Sequence, residues 1–210
     1  MAAGKAIKAQ ASSAHETPDI YFDKKFDCSA RRVRPGEYAV CEKDQKMLVT
    51  ILGSCVAVCI RDPLLGIGGM NHFLLPEAGD NKSGSFADVG TRYGNHAMEL
   101  LINDMLKLGG KKDRFELKIF GGAHVGNMNV SVGADNSSFI RDYISREGLN
   151  LISEDLGGNR ARKIFFFPET GRVARFLFQA TSDSKVSQRE RELRKSIKTP
   201  KVESDIELFD

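Results

Sequence analysis

The sequence predicts an α/β sandwich in which helices pack on one side of mixed β-sheets. Short apolar, β-branched runs of strand length outnumber the segments with helical periodicity. Two amphipathic helical segments lie between groups of strands. The chain has 210 residues with 41% hydrophobic content, which is enough for one core of ordinary domain size. A single folded domain is therefore expected.

The strand segments are bounded by turn-forming residues such as Gly, Pro, Asn and Asp. The predicted strands are residues 38–40, 46–52, 56–60, 67–75, 115–120, 149–153, 163–167 and 173–179. The last two are joined by a turn at residues 168–172. Regular structure is therefore expected from about Arg34 onward.

Two segments carry apolar residues at helical spacing, and both stripes are expected to pack on a sheet. The stripe of the first helix is Met98, Leu101, Ile102, Met105 and Leu108, and Gly109 and Gly110 end it. The second helix is predicted over residues 137–147, with Asn136 as its N-cap and Phe139, Ile140, Tyr143 and Ile144 facing inward.

The chain is expected to divide into three parts. Residues 1–33 are polar and weakly patterned, which predicts a flexible N-terminal segment. Residues 34–182 carry the regular patterns and form the predicted domain. Residues 183–210 are highly charged and include SQRERELRKSIK, which predicts a disordered tail.

Composition argues against several classes of protein. The net charge of +3 and the pI of about 8.6 are too modest to indicate a nucleic-acid partner. The four cysteines lack metal-type spacing, and neither a metal nor another cofactor is predicted. No stretch reads as a membrane span or a signal peptide, so no membrane insertion and a cytoplasmic location are expected.

The most informative stretch, LGSCVAVCIRDPLLGIGGMNHFLLP, predicts a β-hairpin with its loop at residues 61–66. In the register that this loop suggests, Ile60 lies opposite Ile67 and Cys55 lies opposite His72. Opposite side chains have Cβ atoms roughly 4.5–5.5 Å apart. A slip of one residue would put the pair on different faces, whereas a slip of two would leave them diagonal neighbours.

A thiol and an imidazole in contact are a nucleophile and its base. The imidazole accepts the thiol proton, and the thiolate then attacks a carbonyl carbon. Gly53 and Ser54, just before Cys55, suit a close approach of backbone to substrate, and N–H groups there are candidates to stabilise an oxyanion. The alternative is that Cys55 and His72 are ordinary core residues, and the pattern alone leaves both interpretations open.

Four segments in the same order resemble the CheD family, whose members are chemoreceptor glutamine deamidases. The four segments are LGSC at 52–55, GGMNHFLLP at 68–76, IFGGA at 119–123 and EDLGGNRARK at 154–163. The resemblance covers about residues 35–180, and four segments in order are far more specific than one Cys–His pair. The resemblance implies a layered α-β-β arrangement and makes residues 34–182 a deamidase domain.

The resemblance also implies a Cys–His–Thr set, which puts the nucleophile at Cys55 and the base at His72. The family threonine precedes the cysteine in a form such as TxGxGSC, whereas this chain reads VTILGSC, so Thr50 is one residue closer. Either a local bulge restores its direction or another group fills its role. As an orienting residue, Thr50 would hydrogen-bond the ring nitrogen of His72 that faces away from the thiol.

By the resemblance, the substrates are glutamines on the helical cytoplasmic region of methyl-accepting chemotaxis receptors, and each conversion to glutamate tunes adaptation. A helical substrate implies a shallow, partly solvated site. Hydrolysis of glutamate methyl esters would use the same thioester chemistry. A CheC-type phosphatase is a further predicted partner. The alternatives are a regulatory module that binds this phosphatase and receptors, and a cysteine hydrolase that acts on peptide bonds or small amides.

Four further residues are candidates for contact with substrate or partner. Gly121 and Gly122 lack the Walker pattern of a phosphate loop, so close packing or substrate approach explains them better. Arg160 and Arg162 follow a predicted strand and are candidates to contact an acidic partner.

Overall fold

A computed structural model describes residues 19–41, 46–75, 86–125 and 131–179, together with Gln188, Glu190 and Glu192. These residues form two five-stranded mixed sheets and two long helices. Both helices pack on the same sheet, and the second sheet covers its other face. The predicted α/β sandwich with helices on one side, layered α-β-β, is confirmed.

The elements follow one another in this order. They are β1 Ile20–Asp23, β2 Cys28–Arg32, β3 Tyr38–Val40, β4 Met47–Leu52, β5 Val56–Asp62, β6 Ile67–Phe73, α1 Phe86–Lys107, a short 3₁₀ turn Lys112–Arg114, β7 Glu116–Gly121, α2 Ser131–Arg146, β8 Asn150–Leu156, β9 Arg162–Phe167 and β10 Arg172–Leu177. The helix-backed sheet has the order β3-β6-β5-β7-β8, and the outer sheet has the order β1-β2-β4-β9-β10.

Alternate side chains of strand β5 contribute to two different hydrophobic cores. Val56, Val58 and Ile60 belong to the core beneath the helices. The alternate residues Ala57 and Cys59 belong to the core between the two sheets, where Cys55 also lies. Because side chains alternate along a strand, the pattern places Cys55 on the face that meets the outer sheet.

The folded part begins earlier than predicted. Strands β1 and β2 pair in antiparallel register, and β2 joins the outer sheet in parallel with β4. The predicted boundary at Arg34 is therefore too late, although residues 1–18 of the predicted flexible segment lie outside the described residues. Most side chains of β1 and β2 are exposed or half-buried, so the apolar alternation that identifies a strand is weak here.

The second helix also begins earlier than predicted, at Ser131, so Asn136 is inside the helix and does not cap it. The inward residues Ile140, Tyr143 and Ile144 are buried as expected. In the first helix, Leu108 of the predicted stripe lies beyond the helix end and is 48% exposed. Neither helix of the described ranges is apolar enough over a sufficient length to cross a bilayer.

Candidate active site

The hairpin of β5 and β6 forms in a register two residues away from the predicted one. Asp62 pairs with Ile67, and His72 pairs with Ala57. The turn is shorter than expected because the Asp62 side chain accepts hydrogen bonds from the N–H groups of Leu64 and Leu65, which closes it. Since the difference is two residues, Cys55 and His72 keep the same face and are diagonal neighbours.

Thr50 reaches His72 from the opposite sheet. Thr50 Oγ1 lies 2.7 Å from His72 Nδ1, and the hydroxyl donates to the carbonyl oxygen of Val33 at 2.7 Å. Since the hydroxyl proton is used on Val33, the hydrogen between Thr50 and His72 belongs to Nδ1. Strand β4 pairs with β9 in unbroken register, so the expected contact forms without a bulge.

This hydrogen bond leaves Nε2 as the basic nitrogen of His72. Nε2 is buried and has no hydrogen-bond partner among the described residues. Burial lowers the pKa of His72 to about 4, while the nearby Glu190 carboxylate and the Val33 carbonyl act in the opposite direction. The imidazole is therefore neutral near pH 7, with a lone pair on Nε2 that is able to accept a proton.

The lowered pKa of His72 predicts a pH-dependent stability. Between about pH 6.5 and pH 4 the unfolded chain takes up a proton on this histidine and the folded chain does not, so the free energy of unfolding falls as pH falls. The contribution of His72 to this loss is on the order of 3 kcal/mol. Urea unfolding at pH 7 and pH 5 of the wild type and of His72→Gln should show the steeper loss in the wild type. An equal loss of stability between pH 7 and pH 5 in the two proteins would contradict the lowered pKa of His72, because the other titrating groups are common to both.

Residues 53–55 present three backbone N–H groups to one point. Their carbonyl oxygens are all bound by the rest of the fold: Gly53 O accepts from Ala123 N at 2.7 Å, Ser54 O accepts from Asn136 Nδ2 at 2.9 Å, and Cys55 O accepts from Gly122 N at 2.7 Å. In a trans peptide the N–H of a residue points opposite to the carbonyl of the residue before it, so the contacts of the Gly53 and Ser54 carbonyls turn the N–H groups of Ser54 and Cys55 to the other side. The segment is therefore a preformed cluster of donors at the candidate nucleophile.

The carboxylate of Glu190 occupies this donor cluster. Its Oε1 accepts from the N–H groups of Gly53 at 2.9 Å and Cys55 at 3.2 Å. Its Oε2 accepts from the N–H of Ser54 at 3.0 Å and from Ser54 Oγ at 2.7 Å. Glu190 is only 2% exposed, so the prediction of disorder for residues 183–210 is wrong at this residue. The rest of that segment, apart from the helical Gln188 and Glu192, lies outside the described residues.

The predicted glycines contribute through their backbones. A Cβ on Gly53 would lie 2.8 Å from Glu190 Oε1, so a larger residue would crowd the carboxylate. A Cβ on Gly121 would lie 2.1 Å from the carbonyl oxygen of Cys55, and both Gly121 and Gly122 have positive φ. Gly121 and Gly122 therefore permit the close packing that holds the Cys55 segment.

The site is closed, which contradicts the expected shallow and partly solvated cleft. Cys55 is fully buried, and His72 and Thr50 are 1% and 2% exposed. Tyr93 on α1 also lies near Cys55. Desolvation is the larger cause that raises the pKa of the Tyr93 phenol, and negative charge on the Cys55 thiol raises it further. A substrate side chain would have to take the place of a group that is now bound there.

The two arginines have different environments. Arg162 is 3% exposed, pairs with Asp155 at 3.0 Å and also donates to the carbonyl oxygen of Gly157. This internal pairing contradicts its expected role in contact with a partner. Arg160 is at the surface, where its Nε donates to the carbonyl oxygen of Phe178 at 3.0 Å.

Sequence reasoning missed Asn136, Tyr93 and Glu190. Asn136 has one visible signal, because it lies on the same stripe of α2 as Val132 and Ile140. A polar residue on an apolar stripe calls for hydrogen bonds, and Asn136 makes them to the Leu75 N–H at 2.8 Å and to Ser54 O. Glu190 lies 135 positions beyond Cys55 in a charged run, and nothing local distinguishes it from its neighbours.

Comparison with known proteins gives consistent matches. A family model described as CheD chemotactic sensory transduction matches residues 74–175. A protein of Herminiimonas arsenicoxydans named probable chemoreceptor glutamine deamidase CheD is 41% identical over 197 residues, covering 93% of this chain and 96% of the relative. The chain belongs to the CheD family. The resemblance predicted from sequence is thereby confirmed.

Other CheD relatives match over similar lengths. The probable chemoreceptor glutamine deamidase CheD of Methylobacillus flagellatus is 42% identical, with 91% of this chain and 95% of the relative covered. A protein of Shewanella oneidensis named probable chemoreceptor glutamine deamidase CheD 1 is 43% identical, with 97% and 98% covered. The CheD family model begins after Cys55 and His72, whereas these relatives match nearly the whole chain.

Proposed function

We propose that this chain is a chemoreceptor glutamine deamidase that uses Cys55 as its nucleophile. The observation that carries the proposal is the position of Cys55, at a cluster of backbone donors and diagonal to a histidine whose tautomer Thr50 sets. The names of the relatives, chemoreceptor glutamine deamidase, supply the substrate class.

The first step is activation of the thiol. His72 Nε2 accepts the proton of Cys55 Sγ, and the Nδ1–H bond to Thr50 Oγ1 keeps the ring in the tautomer that makes this possible. The resulting thiolate attacks the side-chain carbonyl carbon of a glutamine. Negative charge that develops on the glutamine oxygen is stabilised by the N–H groups of Gly53 and Cys55.

In the second step ammonia is released. Hydrolysis by a water molecule then completes the reaction. The protonated His72 gives its proton to the leaving nitrogen, the C–N bond breaks, and a thioester to Cys55 remains. His72 then accepts a proton from water, whose oxygen attacks the thioester, and the thiolate leaves. The product is a glutamate whose carboxylate lies on the donors of residues 53–55. A glutamate methyl ester would react by the same route with loss of methanol.

On a receptor, each turnover replaces a neutral side chain by an anionic one. Like charges across a helical bundle repel, so the change alters the packing of the receptor helices and tunes adaptation. A CheC-type phosphatase stays a predicted partner of this chain.

Incubation of the full chain with a chemoreceptor cytoplasmic fragment tests the function. Each converted glutamine is expected to add about 1 Da to the intact mass of the fragment, with one ammonia released, because a carboxamide becomes a carboxylate. Peptide mapping then locates the converted residues. A fragment in which those glutamines are replaced by asparagine, one methylene shorter, is the matched control and should not react.

Three other outcomes would contradict the proposal. Binding of the fragment with no mass change would favour a regulatory module. Release of peptides would favour a cysteine hydrolase that cuts the main chain. A mass gain that also appears in the asparagine-substituted fragment would show that the reaction does not depend on a glutamine side chain.

A further inference from the structure

We propose that Glu190 is a tethered product analogue, whose side-chain carboxylate occupies the position that the product glutamate takes on residues 53–55 and competes with receptor glutamines for it. This inference rests on the proposed deamidase function. The donor cluster of residues 53–55 is then occupied by a side chain of the same chain, and this side chain holds the active site closed.

The donors at the cluster select a carboxylate. Four hydrogens converge on Glu190, from the N–H groups of Gly53, Ser54 and Cys55 and from Ser54 Oγ. A carboxylate has only acceptors and satisfies all four. In a carboxamide placed in the same way, the NH₂ group would face an N–H donor, either that of Ser54 or those of Gly53 and Cys55. The cluster as formed therefore binds a glutamate side chain better than a glutamine side chain.

The way Glu190 is presented also fits a product. Glu190 is helical, as are Gln188 and Glu192, so its side chain enters the site from a helix. The names of the relatives give glutamines of a chemoreceptor as the substrates. A glutamate on a helix, with its carboxylate on the donors beside Cys55, has the chemistry and the length of the deamidated receptor side chain.

The carbonyl side of the Cys55 segment is held without Glu190. The carbonyl groups of residues 53–55 are fixed by Ala123, Asn136 and Gly122, none of which depends on Glu190. Glu190 accepts from the N–H groups of Gly53, Ser54 and Cys55, which are the donors that the proposed reaction requires. A clamp and a product analogue make the same bonds here, so the deamidation rate of Glu190→Ala decides between them.

Burial explains the expected effect on substrate. Cys55 is fully buried and Glu190 is 2% exposed, while Glu192 on the same helical segment is exposed. A receptor glutamine reaches Cys55 only after the Glu190 side chain leaves. Removing this side chain should therefore open the thiol, whereas removing Glu192 should not.

Alkylation of Cys55 by iodoacetamide, followed by peptide mass, tests the closure without any substrate. In the full chain, Glu190→Ala should react at least about tenfold faster at Cys55 than the wild type, because several hydrogen bonds to a charged group no longer hold the site closed. Glu192→Ala is the matched control and should react like the wild type. Cys59, which is 1% exposed, is the internal control for intact folding and should stay unmodified in every protein.

Glu190→Gln provides a second variant of nearly the same shape. It removes the charge and puts an NH₂ group against an N–H donor, so Cys55 should again react faster than in the wild type. Unchanged alkylation of Cys55 in both variants, with Cys59 protected, would overturn the proposal.

Deamidation of the receptor fragment separates the product analogue from a structural clamp. Glu190→Ala should show a lower KM for the fragment and at least about tenfold higher kcat/KM. A lower kcat/KM in a folded Glu190→Ala would overturn the proposal in favour of a clamp. If all the proteins deamidate the fragment and Cys55 is alkylated at the same rate in each, the proposal for Glu190 is refuted and the deamidase function stands. Faster alkylation with no deamidation by any protein would support closure by Glu190 and refute the deamidase function.

Discussion

Replacement of Cys55 by alanine is expected to abolish glutamine deamidation, lowering the rate by at least about 10⁴-fold. Without the thiol no thioester forms, and the donors of residues 53–55 have no nucleophile beside them. Cys55→Ser should be nearly as inactive, because a serine hydroxyl is far less ionised than a thiol when its base is the same histidine. Ammonia release and the intact mass of a receptor fragment measure both variants.

Cys59→Ala is the matched control for this prediction. Cys59 on β5 contributes to the same inter-sheet core as Cys55 and is 1% exposed, but it lies four residues further along the chain, about 13 Å at the rise of a strand, away from the donor cluster. Its loss should cost about 1 kcal/mol of stability and leave deamidation intact. Activity retained by Cys55→Ala, or lost equally in a folded Cys59→Ala, would show that Cys55 is not the nucleophile.

The layer structure was predictable because strand alternation is a local property. The run from Cys55 to Ile60 alternates between residues for the helical core and residues for the inter-sheet core, and this alone places the thiol between the sheets. The contact between Thr50 and His72 was predictable for another reason. The family resemblance supplied the pair, and the structure places Oγ1 at 2.7 Å from Nδ1.

The hairpin register was not predictable from loop composition. Arg61 and Asp62 belong to β5, because the Asp62 carboxylate caps the turn through the N–H groups of Leu64 and Leu65. An aspartate before a proline is compatible with either a strand end or a turn, so composition does not separate the two registers. The register error of two residues left Cys55 and His72 on the same face of the sheet, because the side-chain period of a strand is two.

Long-range contacts between polar side chains and the backbone left the least trace in the sequence. Glu190 lies in a run whose composition is typical of disorder, and only the three-dimensional arrangement of residues 53–55 gives it a partner. Asn136 shows the same difficulty in a milder form. Its place among apolar residues of α2 indicates a buried role, but which backbone groups it binds depends on the fold.

Replacement of His72 by glutamine is the second variant for which a very large loss is expected, about 10²–10⁴-fold in kcat. Glutamine has nearly the size of histidine and retains polar atoms toward Thr50, but it has no basic nitrogen to accept the thiol proton. The thiol of Cys55 should then stay protonated near pH 7, and the residual rate should rise with pH as hydroxide ionises it. A pH–rate profile between pH 6 and pH 9 distinguishes this from a loss of folding.

Thr50 supplies the graded control for His72. Thr50→Val keeps the shape and removes the acceptor for Nδ1–H, so the imidazole loses the bond that fixes its tautomer, and the rate should fall less than in His72→Gln. Thr50→Ser restores a hydroxyl and should recover much of the rate. Full activity in a folded His72→Gln would show that another group accepts the thiol proton. Equal losses in Thr50→Val and Thr50→Ser would show that Thr50 acts by packing, because the hydroxyl would then make no difference.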